Sequence, residues 1–243
     1  MASKQNNQEG GGLDLQGAYS KTEAFLEQNT KKISIALGVV AVVVGGFMGY
    51  HYLYAQPREV EAAKESIQAQ IYVEMDSLER AVLGDSTHQG FEAIASQYDG
   101  TSAANRANYW CGIYHRNITQ DFAKALEYFQ HCDFNDDAIG VAVLANIGDM
   151  HVMLGNNQEG ADWMDKAVKK ANSGSTREYN GPILGLKAAT LYVELGNKEK
   201  AISTLQYVVD NFDPKSSVSF GNDDNANTYN RCEKMLAMLK AQS

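Results

Sequence analysis

The chain contains one long stretch of mainly apolar residues without any charged residue. A longer region follows it, in which apolar residues recur at the spacing of a helix. The apolar stretch extends from Ile33 to Tyr54 and contains 22 residues without a single Asp, Glu, Lys or Arg. At about 1.5 Å per residue, a helix of this length spans roughly 33 Å, more than the ~30 Å hydrocarbon core of a bilayer. Tyr50 and Tyr52 near its end, together with Tyr54, match the aromatic belt of a membrane interface. The pattern predicts a single transmembrane helix over residues 33–54.

A cleaved signal peptide and a buried core helix are the two alternatives to this span. Signal peptides place an apolar core of about 7–15 residues close to the N-terminus, whereas mostly polar residues fill positions 1–32 here. A helix that is apolar on every face needs a large protein around it, and this chain has 243 residues. We therefore favour an uncleaved span preceded by a polar leader, residues 1–32, with a short amphipathic helix.

The distribution of lysine and arginine predicts the orientation of the span. Three basic residues lie shortly before it, Lys21, Lys31 and Lys32, and two lie shortly after it, Arg58 and Lys64. By the positive-inside rule, the N-terminus is expected in the cytoplasm and the region after the span outside it.

One face of the predicted span carries only small residues. At helical spacing these residues are Ser34, Gly38, Ala41, Gly45 and Gly49. Gly45 and Gly49 form a GxxxG pair, which allows another helix backbone to approach closely. The stripe is therefore a candidate docking surface for a membrane partner, although glycine is also common in membrane helices without such a role.

After the span, apolar residues recur every three or four positions from Val60 to Val82. This spacing predicts a stalk helix that ends near Gly84. A short helix is predicted over Phe91–Tyr98, so residues 57–100 form a stalk region.

Beyond residue 100 the chain contains a repeat. Segments 122–132, 158–168 and 198–208 align on Ala125, Gly160 and Ala201, with offsets of 35 and 41 residues. Each segment follows another amphipathic stretch, and these stretches are Ala104–His115, Ile139–Leu154 and Pro182–Leu195.

Paired helices with a period near 34 residues are the signature of the tetratricopeptide repeat, and the chain resembles that family. Small residues occupy the positions of helix contact, such as Gly112 and Gly148, and glycines occupy two inter-helix turns, Gly155 and Gly196. The first repeat departs from the pattern, because it lacks a turn glycine and carries one extra residue. We predict an all-α fold in which a single N-terminal transmembrane helix precedes a tetratricopeptide-repeat α-solenoid. Three repeats are expected over residues 101–213, and a capping helix, Asp223–Leu239, within residues 214–243.

The resemblance also implies which residues face the concave surface, where such repeats bind partners. By the register of the family these are Tyr109, Arg116, Asp149, Thr190 and Glu194. We expect partner binding at this surface, by an extended peptide or by a helix.

Charge and reactive residues restrict the possible functions further. The chain has 21 Lys and Arg against 30 Asp and Glu, and its whole net charge of −9 lies in residues 57–243. A general nucleic-acid binder needs the opposite balance, so no nucleic-acid partner is expected. The five histidines lie far apart, and the chain has no zinc, nucleotide or hydrolase motif. We predict no enzyme activity, no catalytic or metal site and no cofactor.

The cysteines and three short motifs bear on covalent modification of the chain. Cys111, Cys132 and Cys232 lie at apolar helix positions, which is typical of packing residues, yet Cys111 and Cys132 could pair across a helical hairpin in an oxidising compartment. Asn117-Ile118-Thr119 fits an N-glycosylation acceptor. Asp76-Ser77-Leu78 and Asp85-Ser86-Thr87 resemble O-glycosylation acceptors of periplasmic proteins in Bacteroidota.

The order of a polar leader, one span, a stalk and tetratricopeptide repeats is similar to the YfgM-type ancillary subunit of the bacterial Sec translocon, particularly to versions from Bacteroidota. Besides the Gly-rich span, the segments that carry this likeness are 22–29, 54–58, 90–95, 104–110 and 139–154.

The resemblance implies a single-pass protein of the bacterial inner membrane with its repeats in the periplasm. It implies association with the SecYEG translocon and with a membrane-anchored chaperone of the PpiD type, in support of emerging secretory proteins. A tetratricopeptide scaffold of another envelope assembly, such as secretion or cell-division machinery, is the alternative, because a repeat fold does not fix its ligand.

Overall fold

The computed structural model describes residues 15–133, 135, 139–172, 177–213 and 228–242. These residues are all-helical and contain no β-strand, only an isolated β-bridge between Gly84 and Gln89. The chain divides into two compact units, one ending at Pro57 and one beginning at Arg58. The prediction of an all-α protein is confirmed for the part of the chain that the structure describes.

The N-terminal unit contains one long helix. Helix α1 is Leu15–Tyr50, and a π-helical turn, His51–Ala55, follows it. Among the described residues, this helical stretch is the one that is long and apolar enough to cross a membrane, and none of its most apolar window is buried. Val42 is 75% exposed and Phe47 is 70% exposed. Within this chain α1 is therefore not a core helix, which removes one of the two alternatives to a membrane span.

The predicted stalk helix is interrupted in its interior. Helix α2 is Gln56–Glu74, and helix α3 is Leu78–Leu83. Between them Asp76 has a φ of +56°, a left-handed conformation that Asp tolerates better than most residues. The Ser77 amide donates to the carbonyl of Tyr72 at 2.8 Å, which closes the end of α2 as in a Schellman motif.

Burial of α3 accounts for this break. Ala81 and Val82 are completely buried in one apolar cluster with Phe91 and Ile94 of helix α4, Phe91–Gln97. The prediction of one continuous helix is wrong because the apolar spacing stays in phase on both sides of the turn. The helices on both sides of the turn, and the end near Gly84, where φ is +81°, agree with the sequence pattern.

Among the described residues, three pairs of helices follow α4, and one further helix follows the pairs. They are α5 (Ser102–Tyr114), α6 (Phe122–Gln130), α7 (Gly140–Met153), α8 (Asn157–Ala171), α9 (Arg177–Glu194), α10 (Lys198–Asn211) and α11 (Thr228–Ala241). Each packs against the next along the chain, and α11 also packs against α9. This nearest-neighbour packing is typical of helical repeat proteins. The helix predicted from Asp223 is described from Thr228 onwards, and residues 214–227 lie outside the described part.

Glycine ends the first helix of the second and third pairs, as the sequence predicts. Gly155 has a φ of +83° and Gly196 a φ of +73°. After each glycine the next amide donates to a carbonyl five residues earlier, from Asn156 at 2.8 Å and from Asn197 at 2.7 Å. These bonds satisfy carbonyls that the end of a helix would leave unpaired.

The first pair accommodates its extra residue in a π-helical turn. This turn, His115–Thr119, extends α5, and a π turn holds one residue more than an α turn. Gln120 then adopts the left-handed conformation, with φ +56°, that glycine provides in the other two pairs.

Two glycines allow close helix packing within the first two pairs. A Cβ atom on Gly112 would lie 2.5 Å from the ring of Phe129. A Cβ atom on Gly148 would lie 2.8 Å from Met164 Cγ and 3.0 Å from the carbonyl oxygen of Gly160. A larger residue would force the paired helices apart, so these are the positions of closest contact that the repeat alignment predicts.

Candidate functional site

Two adjoining cavities form a groove along α7 and α9. The first has a volume of about 520 Å³ and is lined by Val152, Met164, Ile183, Leu186, Lys187, Thr190, Leu191, Thr228 and Arg231. The second has a volume of about 680 Å³ and is lined by Arg116, Asn117, Gln120, Phe122, Asp149, Met150, Val152, Met153 and Lys187. Because Val152 and Lys187 line both cavities, we treat them as one surface, the α7–α9 groove.

Charged side chains join the elements on the two sides of the groove. Lys187 of α9 forms an ion pair with the Asp149 carboxylate of α7. Arg116 donates from Nη1 to the side-chain oxygen of Asn146, a buried residue of α7, and from Nε to Asn117 Oδ1 at 2.9 Å. These contacts hold the π turn and α9 against α7.

The groove has apolar walls and a mostly cationic margin. Three basic residues line it, Arg116, Lys187 and Arg231, against one acidic residue, Asp149. The walls are formed by aliphatic, methionine and phenylalanine side chains. An apolar surface with a few fixed polar groups is the usual composition of a binding site.

Three of the five predicted concave-face residues line the groove. They are Arg116, Asp149 and Thr190. The Thr190 hydroxyl donates to the carbonyl of Leu186 at 2.8 Å, so its proton is used within α9.

Tyr109 and Glu194, the other two, are not among the residues that line the groove. Tyr109 of α5 is half-buried and packs against the apolar cluster of α6 and α7, with its ring centroid 6.1 Å from that of Phe129. Burial raises the pKa of its phenol above the ordinary range. Glu194 is exposed at the last position of α9, next to the turn at Gly196. The family register alone could not show that these two positions lie outside the groove, because it does not specify which side chains surround them.

Sequence reasoning missed Lys187 and Arg231. Lys187 precedes Thr190 by three residues and therefore lies on the same face of α9, a spacing that could have revealed it. Arg231 belongs to α11, for which the repeat alignment has no register, so no signal pointed to it.

The small-residue stripe of the predicted span lies along α1. Ser34, Gly38, Ala41 and Gly45 are exposed, and Gly49 is half-buried. A Cβ atom on Gly38, Gly45 or Gly49 would have no other atom within 4 Å. No described residue therefore fills the space over these glycines, and the proposed docking role stays a prediction.

The described residues contain no group of three or more His, Cys, Asp or Glu side chains that could hold a metal ion. No disulfide joins Cys111 to Cys132 in the described structure, and both thiols are buried. Burial raises the pKa of the Cys111 thiol well above its usual range, which keeps it protonated and a poor nucleophile. Cys132 Sγ donates instead towards the carbonyl of Tyr128 at 3.5 Å.

Comparison with protein-family models and with curated proteins finds no match to this chain. The residues of the chain and their contacts therefore carry the evidence for its function.

Proposed function

We propose that the protein is a single-pass, membrane-anchored binding protein whose C-terminal unit is a tetratricopeptide-repeat α-solenoid. The observation that carries this proposal is the α7–α9 groove. Besides α11, which follows the third pair, it is built mainly from α7 and α9, the first helices of the second and third pairs. In a tetratricopeptide solenoid these helices form the concave binding surface.

The internal packing of the unit supports the repeat assignment. Gly112 faces Phe129 in the first pair, and Gly148 faces Met164 in the second, which are equivalent positions in the alignment. The turns at Gly155 and Gly196 are also equivalent and share the same backbone conformation.

The apolar, exposed surface of α1 supports the membrane anchor. With the basic residues before the span, it favours a cytoplasmic N-terminus and a periplasmic C-terminal unit in a bacterial inner membrane. Alkaline phosphatase fused after residue 243 is expected to be active. A second fusion, at residue 56, reports on which side of the membrane the chain lies directly after the span. An inactive C-terminal fusion would overturn the orientation.

As the partner system we propose the SecYEG translocon together with a PpiD-type membrane-anchored chaperone. The likeness of the leader, span and repeats to YfgM-type subunits supports this choice. In this role the groove holds segments of emerging secretory proteins through its apolar walls, and α1 contacts the translocon in the membrane.

Affinity purification through a C-terminal tag, after gentle detergent extraction, tests the partner. Recovery of SecY together with a membrane-anchored chaperone is expected. Consistent recovery of a different envelope machine without SecY would replace the translocon by the scaffold alternative.

Site-specific photo-crosslinking tests the groove. A photoreactive amino acid at Thr190, which is exposed and lines the groove, is expected to crosslink to a partner polypeptide. The same amino acid at Ser203, exposed on α10 and not among the groove residues, is the matched control. Equal crosslinking from both positions would contradict binding in the groove.

Paired substitutions test the stripe on α1. Gly45→Leu with Gly49→Leu is expected to reduce partner recovery, because the added side chains block close helix approach. Val43→Leu with Phe47→Leu changes two residues at the same spacing on another face and is expected to leave recovery unchanged. Unchanged recovery in both variants would remove the stripe from the proposal.

A further inference from the structure

A second cavity, of different chemistry, lies among α4, α5 and α6. It consists of two adjoining spaces of about 400 and 340 Å³, and Asp99, Asn108 and His131 line both. We call it the α4–α6 cavity. None of these three residues lines the α7–α9 groove, so a ligand of this cavity is independent of the function proposed for that groove.

Asn108 of α5 is the feature that distinguishes this cavity. Its side chain makes no hydrogen bond within the described structure, although the residue is only 6% exposed. Buried amides are nearly always hydrogen-bonded, so an unpartnered one that lines a cavity marks a place where a ligand can complete the bonding. The neighbouring Asn105, by contrast, accepts a hydrogen bond from the backbone amide of Asp133 at 2.6 Å.

The charges around the cavity favour a cation. Four carboxylates line it, those of Glu92, Asp99, Glu127 and Asp133, against one lysine, Lys124. Lys124 is already engaged, because its ammonium group lies 3.0 Å from Glu92 Oε1. An anionic ligand would therefore meet an excess of negative charge.

The Glu92 carboxylate is already engaged by the protein itself, through Oε1. Besides Lys124, it is hydrogen-bonded to His115 Nε2 at 3.2 Å and to the Tyr128 hydroxyl at 3.3 Å. His115 is buried and stacks on Tyr128 at a centroid distance of 5.4 Å, so this wall of the cavity is held in place.

Three further side chains that line the cavity, those of Asp99, Glu127 and His131, have groups that accept hydrogen bonds. The carboxylates of Asp99 and Glu127 make no hydrogen bond or ion pair within the described structure. His131 uses Nδ1 for the carbonyl of Glu127 at 2.8 Å; since a carbonyl only accepts, Nδ1 carries the proton and Nε2 keeps its lone pair. Together with the Asn108 side-chain oxygen, the cavity offers several acceptors, two of them charged.

We propose that the α4–α6 cavity binds the guanidinium group of an arginine side chain on a partner polypeptide. Guanidinium carries a permanent positive charge and five N–H donors in a planar fork, which suits several acceptors arranged around one cavity. The side-chain oxygen of Asn108 accepts one of these N–H groups, and Asp99 and Glu127 supply the compensating charge.

Binding of matched peptides to the full-length protein in detergent micelles tests this proposal. The probe is the peptide acetyl-Gly-Arg-Gly-amide, and the control is the same peptide with citrulline, which is isosteric with arginine but uncharged. Calorimetry or saturation-transfer NMR is expected to give a Kd of about 1 mM for the arginine peptide, in line with the affinity of small ligands. Binding of the citrulline peptide is expected to be at least about 10-fold weaker, because it lacks the charge.

Substitutions test whether the arginine peptide binds in this cavity. Asp99→Asn with Glu127→Gln changes two exposed carboxylates and is expected to weaken arginine-peptide binding about 10-fold. Glu79→Gln, an exposed carboxylate of α3 outside the cavity, is the control and is expected to have no effect. Asn108→Leu is expected to abolish binding, with tryptophan fluorescence as the check of folding.

Equal binding of the two peptides, or unchanged binding by the Asp99→Asn, Glu127→Gln variant, would overturn the proposal. If Asn108→Leu fails to fold, the double variant still decides the question, because both of its residues are exposed. Loss of crosslinking at Thr190 with arginine-peptide binding intact would show that only the groove proposal has failed.

Discussion

Two apolar helices of this chain have opposite environments. Helix α1 has 36 residues, and its apolar side chains, such as Val42 and Phe47, are exposed. Helix α7 has 14 residues, and Val143 and Ile147 are completely buried. At about 1.5 Å per residue, α7 reaches only about 21 Å, too short to cross a ~30 Å hydrocarbon core. Apolar composition alone therefore does not assign a helix to membrane or core; length and neighbouring helices do.

Packing partners explain the difference physically. Helix α7 packs against both α6 and α8, and its glycine at position 148 brings α8 into close contact. No described residue fills the space over Gly38, Gly45, Gly46 or Gly49 of α1. Burial stabilises α7 by about 25 cal/mol for each Å² of apolar surface, whereas α1 can gain such stabilisation only from lipid or from another protein.

The largest predicted effect is loss of membrane anchoring when charge is placed in α1. Val42→Lys with Val43→Lys is expected to cost about 5–7 kcal/mol of insertion free energy, at about 2.5–3.5 kcal/mol for each lysine near the centre of a span. The protein should then be extracted from membranes by alkaline carbonate, whereas the control Val42→Leu with Val43→Leu should remain in the pellet. Retention of the lysine variant would contradict membrane insertion of α1.

The same glycine-to-leucine substitution in α7 and in α1 compares how tightly the two helices are packed. Gly148→Leu in α7 is expected to destabilise the C-terminal unit by about 3 kcal/mol, because the side chain has no space next to Met164 and Gly160. Gly45→Leu in α1 is expected to change stability by less than about 0.5 kcal/mol, because nothing lies within 4 Å of the added Cβ.

Urea unfolding followed by tryptophan fluorescence measures both glycine variants. The chain has 2 tryptophans, Trp110 and Trp163, and both lie in the C-terminal unit. Equal midpoints for the two variants would show that α7 is not packed as described.

Acid is expected to weaken the C-terminal unit and to leave the span unchanged, because residues 33–54 contain no carboxylate. Burial alone would raise the pKa of Glu92, but its hydrogen bonds with Lys124 and His115 outweigh burial and lower it. The pKa of Asp162 is lowered in the same way, with burial opposed by Lys200 and Tyr192.

The sign of this pH dependence follows from linkage. A carboxyl whose pKa is lower in the folded state stabilises the fold fully above its unfolded pKa, about 4 for Asp and Glu, and this stabilisation is lost as the pH falls towards the folded value. The urea midpoint should therefore drop below about pH 5. Glu92→Gln should flatten the drop, while Glu79→Gln, for which no such contacts exist in the described structure, should not. An identical pH profile for Glu92→Gln and the unchanged protein would contradict this role of Glu92.

The smallest predicted effect concerns the ion pair between α7 and α9. Lys187→Met removes the ion pair with Asp149, and both side chains are partly exposed. Pairs of this kind contribute about 0–1 kcal/mol, so the urea midpoint should hardly change. Crosslinking from Thr190 is the second measurement, because Lys187 lines both parts of the groove. A large loss of stability would show that the contact between α7 and α9 depends on this pair.

Much of the helical pattern could be predicted because it repeats. The paired helices and the turns at Gly155 and Gly196 follow from apolar spacing and from the conformational freedom of glycine. The break at Asp76 could not be predicted, because the same spacing continues through it. The groove was predicted in part, through Arg116, Asp149 and Thr190, because the register of the tetratricopeptide family implies that these residues face the concave surface.

The α4–α6 cavity could not be predicted from the sequence. Its polar residues come from segments around 92, 108 and 131, which have no common motif. An asparagine on an amphipathic helix gives no sign that it will be buried without a hydrogen bond.

By itself, the sequence determined the helical class, the long apolar helix and the glycine turns, because these depend on local composition and on spacing along one chain. The tertiary structure decided that the predicted stalk helix breaks at Asp76, that Tyr109 packs against an apolar cluster outside the groove, and that Lys187 and Arg231 line the groove. These features depend on contacts between helices distant in sequence, and local periodicity carries no information about such contacts.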